Sequence, residues 1–399
     1  VLDVAPDADL YLASISTGVG YNEALDWAVQ NDADVVTMSL GFFGQPHDGT
    51  GPISQSADEA VERGGFPFVV STGNQANRHW QGTFEDPDND GVLEFNSQGD
   101  EINYLNSGSN GIEQISRGTV LNPIMNWDDW PTSSTNYNVR LVYVSQPGSQ
   151  PQEVQSADYD ATGGKPSKRI ATTAPRDGYY GVMIEETSGS GEEVELFTSN
   201  DLLYRTRNSS IASPAAAEKT VGVGAFRYDR TDIESYSSRG PTNDGSQGVT
   251  FLAPTCATSS AYGGPYCGTS GAAPHAGGAA AIIRSSYELN RTETEDAMIR
   301  ASDSVSAPSN VAGAGLLNLS GSVNLLAADD LNIDIPSVVA SGGTFRINYT
   351  VRGYDAHQVK ITPDGFDVNI SDYTGISSTT NLGSPKTNSS TTSTGTALF

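Results

Sequence analysis

The sequence has 399 residues, of which 36% are hydrophobic, so it is long enough for roughly two to four domains with buried cores. Acidic residues outnumber basic ones by 48 to 21, and the net charge of −27 excludes nucleic-acid binding through a phosphate-neutralising surface. No run of about 18 apolar residues is present, so the sequence predicts no membrane-spanning helix.

Residues 1–76 alternate between strand and helix patterns. Short apolar or alternating segments predict strands at residues 7–13, 35–39 and 66–71. Apolar residues at helical spacing predict helices at residues 22–30 and 54–63. This alternation favours an α/β fold in which helices flank a parallel sheet.

The pattern changes over residues 77–209, which are rich in Asp, Asn, Ser, Gly and Thr. Their apolar stretches alternate, most clearly at residues 138–144 and 179–186, and no helical period persists. This pattern predicts an inserted all-β domain, built as a small sandwich.

The α/β pattern returns over residues 210–328, so the β insert interrupts one α/β domain. Its predicted elements are a strand at 219–225 and helices at 270–287 and 292–301. Residues 329–373 again alternate and predict a partial C-terminal β domain. Residues 374–399 are dominated by Ser and Thr, which is typical of a linker or stalk and suits surface attachment.

The charge pattern indicates adaptation to salt. Only five of the 21 basic residues are lysines: Lys165, Lys168, Lys219, Lys360 and Lys386. Salt screens the repulsion between surface carboxylates, so an acidic, lysine-poor surface suits high ionic strength. We expect a halophilic protein of haloarchaeal type, with an ordinary acidic secreted protein as the alternative.

Ser270 lies where a helix of small residues begins, in the segment CGTSGAAPHAG that spans residues 267–277. The N-terminus of a helix carries a positive dipole end and free backbone N–H groups, which can stabilise an oxyanion. A purely structural alternative is that Ser270 caps the helix.

Several segments, in the same chain order, resemble motifs of the subtilisin-like serine proteases, the subtilases. Residues 268–275 resemble the nucleophile motif, although Gly271 stands where the family usually has Met. The other matching segments are residues 4–12, 38–41, 71–74, 237–241 and 253–254. The resemblance covers residues 1–76 and about 210–320.

The resemblance implies a role for individual residues. Ser270 would be the nucleophile, and Asn74 would donate its amide to the oxyanion together with the Ser270 backbone N–H. A structural alternative for Asn74 is a turn residue that satisfies its own backbone. An extended peptide would pair along two edges, which are formed by Ser39, Leu40 and Gly41 and by Ser71, Thr72 and Gly73.

The catalytic Asp and His of the family have no counterpart in this sequence. His47, His79, His275 and His357 all lack the family's sequence setting, and His275 should face away from Ser270, about 140° around the helix. We expect a fragment that starts after the catalytic His, with both residues upstream, so that the chain alone is inactive. The alternative is a non-catalytic surface protein on a degenerate subtilase core, whose β regions bind a ligand.

Two further features concern stability. Cys256 and Cys267 are close enough, in a loop rich in Gly, Tyr and Ser, to predict a disulfide in an exported protein. Asp86, Asp88 and Asp90 match the first half of a calcium loop, but Ser97 occupies the twelfth position, so an acidic solvated loop is the alternative.

The sequence thus predicts an extracellular or cell-surface endopeptidase. We expect it to be monomeric, to act on proteins or peptides, and to need no cofactor for its chemistry, with Ca²⁺ as a possible structural ion.

Overall fold

The computed structural model describes residues 1–327 except residues 109, 110, 190, 230, 231 and 262, and three further strands within residues 330–398. The helices are α1 (Gly18–Gln30), α2 (Pro52–Gly64), α3 (Thr269–Tyr287), α4 (Arg291–Arg300), α5 (Ser309–Ala312) and α6 (Leu319–Ala327). In the part of the chain so described, no helix combines the length and apolarity needed to cross a membrane.

The strands, in chain order, are β1 (Val36–Met38), β2 (Phe68–Ser71), β3 (His79–Thr83), β4 (Asn103–Tyr104), β5 (Ser107–Gly108), β6 (Gly111–Ile112), β7 (Val120–Leu121), β8 (Ile124–Trp127), β9 (Asn136–Val144), β10 (Gln152–Ala157), β11 (Ser167–Arg169), β12 (Thr172–Thr173), β13 (Tyr179–Ser188), β14 (Glu193–Phe197), β15 (Thr220–Arg227), β16 (Phe251–Thr255), β17 (Ala257–Thr258), β18 (Pro265–Tyr266), β19 (Asp330–Asp334), β20 (Arg346–Arg352) and β21 (Thr392–Leu398).

The central sheet has the order β1-β2-β15-β16, and all of its pairs are parallel. Every residue of β2 is buried, as expected for a strand covered on both faces. Phe68 and Val70 pack with α1 and α2, whereas Val69 packs with α3 on the opposite face. The predicted parallel sheet flanked by helices is therefore confirmed.

Helix α3 approaches the sheet closely because its buried face consists of small residues. Five alanines of α3 are at most 1% exposed: Ala272, Ala273, Ala276, Ala279 and Ala280. A Cβ atom added to Gly277 would lie 3.0 Å from the Cβ of Thr37 next to it in space. This close packing fixes the helix axis and therefore the position of its N-terminus.

The strand predicted at residues 7–13 is wrong. These residues lie in no strand, and Leu10 and Leu12 are 47% and 84% exposed. Among the described residues, β1 pairs only with β2, so residues 7–13 have no strand partner. An alternating pattern alone does not form a strand, because the backbone groups must also find hydrogen-bond partners.

An all-β region lies between the two halves of the α/β region. It contains two four-stranded antiparallel sheets, with the orders β10-β9-β13-β4 and β11-β8-β14-β3. Their apolar side chains share one core cluster, which includes Trp127, Tyr137 and Tyr180. The domain boundaries at residues 76–77 and 209–210 stay predictions.

The C-terminal strands β19, β20 and β21 form an antiparallel sheet in which β20 is central. Residues 392–398 therefore correct the prediction that 374–399 is entirely linker. All seven residues of β21 pair with β20, from Thr392 opposite Arg352 to Leu398 opposite Arg346. The remainder of the predicted linker lies outside the described residues, as do His357 and most of residues 329–373.

Candidate active site

Ser270 occupies the second position of α3, because the N-cap residue of this helix is Gly268. The suggestion that Ser270 caps the helix is therefore wrong. Gly268 has a φ of 99°, a conformation that favours glycine. Its N–H donates to the Tyr236 hydroxyl at 3.0 Å, and its carbonyl accepts from Thr255 Oγ1 at 2.7 Å. These bonds hold the turn that presents Ser270, which is half-buried.

The Asn74 side chain is fixed against the start of α3. Its Oδ1 accepts from the Thr269 backbone N–H at 2.9 Å and from Thr269 Oγ1 at 3.2 Å. Because a backbone N–H can only donate, Oδ1 rather than Nδ2 must face Thr269, and this orientation leaves Nδ2 as a donor. Nδ2 lies 3.1 Å from the place where a Cβ on Gly268 would stand, so it lies beside the turn that leads to Ser270.

The loop that carries Asn74 is held from a third segment. Ser238 donates its backbone N–H to the Gly73 carbonyl at 2.9 Å, and its Oγ accepts from the Gln75 N–H at 3.0 Å. Gly73 has a φ of 108°, and a Cβ there would lie 2.9 Å from Ser238 Oγ. The loop conformation therefore requires glycine at this position.

The predicted substrate-binding residues follow β1 and β2 at the carboxyl ends of these parallel strands, where α/β folds place their sites. Ser39 Oγ donates to the Ser270 carbonyl at 3.0 Å, so the first edge lies against α3. Leu40 is 50% exposed and Gly41 is also exposed, whereas Ser71 and Thr72 are buried. The structure thus brings Ser39, Asn74 and Ser270 together and leaves Leu40 and Gly41 of the first edge exposed.

The histidines of the described residues do not lie at this site. His47 and His79 are fully buried, and each approaches a carboxylate oxygen of Glu195, at 3.7 and 3.3 Å. His275 lies on α3, where burial lowers its pKa. None of these three side chains forms a hydrogen bond with Ser270.

Comparison with known proteins decides the family. The sequence profile described as the subtilase family matches residues 1–191 and 197–321. The chain belongs to the subtilase family. It is 35% identical to pyrolysin of Pyrococcus furiosus over 81 residues, which are 19% of this chain and only 6% of pyrolysin.

A solved structure supports the same fold. The chain is similar to the CspB protease of Clostridium perfringens, with a TM-score of 0.52 and 14% identity, over 80% of this chain and 73% of that one. At this level of identity the likeness concerns the fold alone.

The disulfide predicted between Cys256 and Cys267 is present in this subtilase. It closes the hairpin of β17 and β18, which lies directly before α3. A Cβ atom on Gly271 would lie 2.5 Å from the Tyr266 carbonyl oxygen and 3.0 Å from Thr255 Oγ1. The hairpin therefore occupies the space of a larger residue, which explains why Gly271 replaces the Met usual in subtilases.

The three aspartates of the predicted calcium loop converge. One oxygen from each of Asp86, Asp88 and Asp90 lies within 4.8 Å of the other two. Asp86 also accepts from the backbone N–H groups of Asp90 and Gly91, at 3.1 and 2.8 Å. Burial, together with these three carboxylates, raises the pKa of nearby Glu94. The loop thus concentrates negative charge, and its oxygens are the ligand type that Ca²⁺ takes.

Two groups of functional interest escape sequence reasoning. Thr269 orients Asn74 through its N–H and its hydroxyl. The sequence motif drew attention to Ser270 instead, although a hydroxyl residue in the first turn of a helix is itself a signal. Glu195 contacts both His47 and His79, although it follows each of them by more than 100 residues along the chain. No local sequence pattern indicates these contacts.

Proposed function

We propose that this chain forms part of a subtilisin-like serine endopeptidase that is secreted to the extracellular space or the cell surface and acts on protein or peptide substrates. The observation that carries the proposal is the bond between Asn74 Oδ1 and the Thr269 N–H, because it orients the amide donor beside the nucleophile. The family membership supports the same reaction class.

The chemistry would be acyl transfer. Ser270 Oγ attacks the carbonyl carbon of the scissile peptide bond while a histidine base takes the hydroxyl proton. The carbonyl oxygen becomes an oxyanion that accepts from Asn74 Nδ2 and the Ser270 N–H. The tetrahedral intermediate then collapses, the C–N bond breaks, and the leaving amine takes the proton from the histidine. Water hydrolyses the acyl-enzyme by the same steps.

The base would come from residues upstream of this sequence. In the described residues, His47 and His79 are buried against Glu195, and His275 lies apart from Ser270. The outer edge of β1 pairs with no described strand, and Leu10 and Leu12 beside it in sequence are exposed. A catalytic Asp and His on further elements at this edge would complete both the sheet and the triad.

Labelling by a fluorophosphonate tests the proposal, because this reagent reacts only with an activated serine. We expect the chain of residues 1–399 to stay unlabelled and a chain extended upstream to be labelled at Ser270 and to cleave casein. The extended Ser270→Ala variant is the control. An extended chain that carries both residues and folds, yet neither labels nor cleaves, would favour the non-catalytic surface protein instead.

We also propose that Ca²⁺ binds Asp86, Asp88 and Asp90 as a structural ion, with no part in the chemistry. Chelation should then lower the melting temperature of the wild type but not of Asp88→Asn, and Ca²⁺ should restore it while Mg²⁺ does not. Equal responses of the two proteins to chelation would leave an acidic solvated loop as the better description.

A further inference from the structure

A polar cavity of about 210 Å³ lies between the all-β region and the α/β region, apart from the nucleophile. From the α/β region it is lined by residues 46–48 and 243–244, and from the all-β region by β3, β8 and β14 and the residues that follow β8. The carboxylates of its lining are Asp48, Asp128, Glu193, Glu195 and Asp244.

The lining carries a concentrated negative charge. Five of the twelve residues are carboxylates and none is Lys or Arg. Among the described residues, Asp48, Glu193 and Asp244 accept hydrogen bonds only from neutral groups. Glu195 contacts His47 and His79 but no lysine or arginine. The cavity therefore favours a cation as its occupant.

Asn126 supplies an independent indication of a ligand. Its side chain is 2% exposed, and its Nδ2 donates to the Phe43 carbonyl at 2.6 Å. Because that carbonyl can only accept, Oδ1 must be the other amide atom, and Oδ1 is buried without a hydrogen-bond partner among the described residues. Buried polar atoms are rarely left unpaired, so a donor reaching it through the cavity would complete the site.

The shape of the site favours an organic cation over a metal ion. The cavity is larger than a single ion, and no three His, Asp or Glu ligand atoms within it lie within 4.8 Å of one another in the described structure. Trp130 also lines the cavity, and indole is the side chain that attracts organic cations most strongly, whereas the Trp127 indole packs in the core of the all-β region.

We propose that this cavity binds the guanidinium or primary ammonium group of an organic cation, through hydrogen bonds to Asn126, Asp128 and Glu193 and contact with the Trp130 indole. The cation would be a free small amine or guanidine, or an Arg or Lys side chain of a peptide. Phe43 connects the site to the proposed substrate edge. Its carbonyl accepts from Asn126, and its ring atom Cζ lies 3.6 Å from the position that a Cβ on Gly41 would occupy.

Calorimetric titration in 1 M KCl tests the proposal, because a Debye length of about 3 Å suppresses general attraction to the acidic surface. The free-ligand probe is butylguanidinium, with neutral butylurea as its isostere. The peptide probe is acetyl-Gly-Arg-Gly-amide, with citrulline replacing arginine as its isostere. We expect saturable binding of at least one cation and of neither neutral isostere, and the comparison of the two cations identifies the source.

The variant Asp128→Asn/Glu193→Gln should weaken binding at least about tenfold, whereas Glu59→Gln, an exposed carboxylate on α2, should leave it unchanged. Both changes preserve shape at exposed positions, so circular dichroism should show a folded protein. Absence of saturable binding, or equal weakening by Glu59→Gln, would overturn the proposal. If Ca²⁺ displaced the organic cation and its own binding were weakened equally by the double variant, the site would be a metal site and the proposal would be overturned. Because binding is measured, the result does not depend on Ser270 chemistry.

Discussion

Gly271→Ala tests whether the disulfide-closed hairpin limits which residue can follow Ser270. The added methyl group would lie 2.5 Å from the Tyr266 carbonyl oxygen. That carbonyl cannot move freely, because it accepts from the Cys256 N–H at 3.0 Å and its hairpin is closed by the Cys256–Cys267 disulfide. Thr255 Oγ1, at 3.0 Å from the new atom, is held by the Gly268 carbonyl.

The magnitude follows from two opposing effects. Alanine is favoured over glycine within a helix by up to about 1 kcal/mol, whereas forcing an atom into a filled space costs about 1–3 kcal/mol. We therefore expect Gly271→Ala to lower the free energy of unfolding by about 1–2 kcal/mol. Gly20→Ala is the matched control, because Gly20 also stands third in its helix but its nearest atom lies 3.5 Å away. This control should be neutral or slightly stabilising.

Urea unfolding of the wild type and both variants measures these free energies. The cost of Gly271→Ala should also shrink when Cys256→Ser and Cys267→Ser free the hairpin, which a double-mutant cycle would detect. If Gly271→Ala were as stable as Gly20→Ala, the hairpin would yield easily and would not explain the missing Met of this subtilase.

Three further predictions concern catalysis, pH and salt. In an extended, active chain, Asn74→Ala should lower kcat by about 10²–10³-fold and leave KM nearly unchanged, which is the magnitude known for the oxyanion Asn of this family. A raised KM with an unchanged kcat would make Asn74 a substrate-positioning residue. Burial raises the pKa of Glu295 from 4.5 to about 7 despite Arg291, so the folded state keeps this proton while the unfolded state loses it. Stability should therefore fall by up to about 3 kcal/mol as the pH rises from 4.5 to 7, and Glu295→Gln should flatten that part of the curve; parallel curves in urea unfolding would refute the assignment. With a net charge of −27, the melting temperature should climb between roughly 0.1 M and 2 M KCl, and a flat profile would argue against halophilic adaptation.

Much of the fold could be predicted because periodicity reports burial directly. The helices at 22–30, 54–63, 270–287 and 292–301 correspond to α1 to α4, each within a few residues. Two predictions failed because the local sequence pattern does not determine whether a segment finds a strand to pair with. Residues 7–13 alternate but have no strand partner, whereas residues 392–398 look like linker yet pair with β20.

The candidate site was predictable only where motifs are local. The segment around Ser270 and the segment around Asn74 are each visible in the sequence, and the structure joins them through Thr269. The cavity around Asn126 was not predictable, because its walls come from segments that are far apart along the chain and show no common pattern.

The hydrogen bonds that close the base of the all-β region bear on the order of folding. Asn74 and Thr269 are 195 residues apart, so the site can form only after a long loop has closed. Arg78 and Asp201, 123 residues apart, meet at 3.0 Å, and the Leu202 N–H donates to the Asn77 carbonyl at 2.8 Å. Of the 148 residues between β2 and β15, a folded insert leaves about 24 as open loop. This roughly sixfold shortening lowers the entropic cost of closing the loop by roughly 1.5 kcal/mol. The insert should therefore fold before the parallel sheet, and Ser270 and Asn74 should meet among the last parts of the molecule to do so.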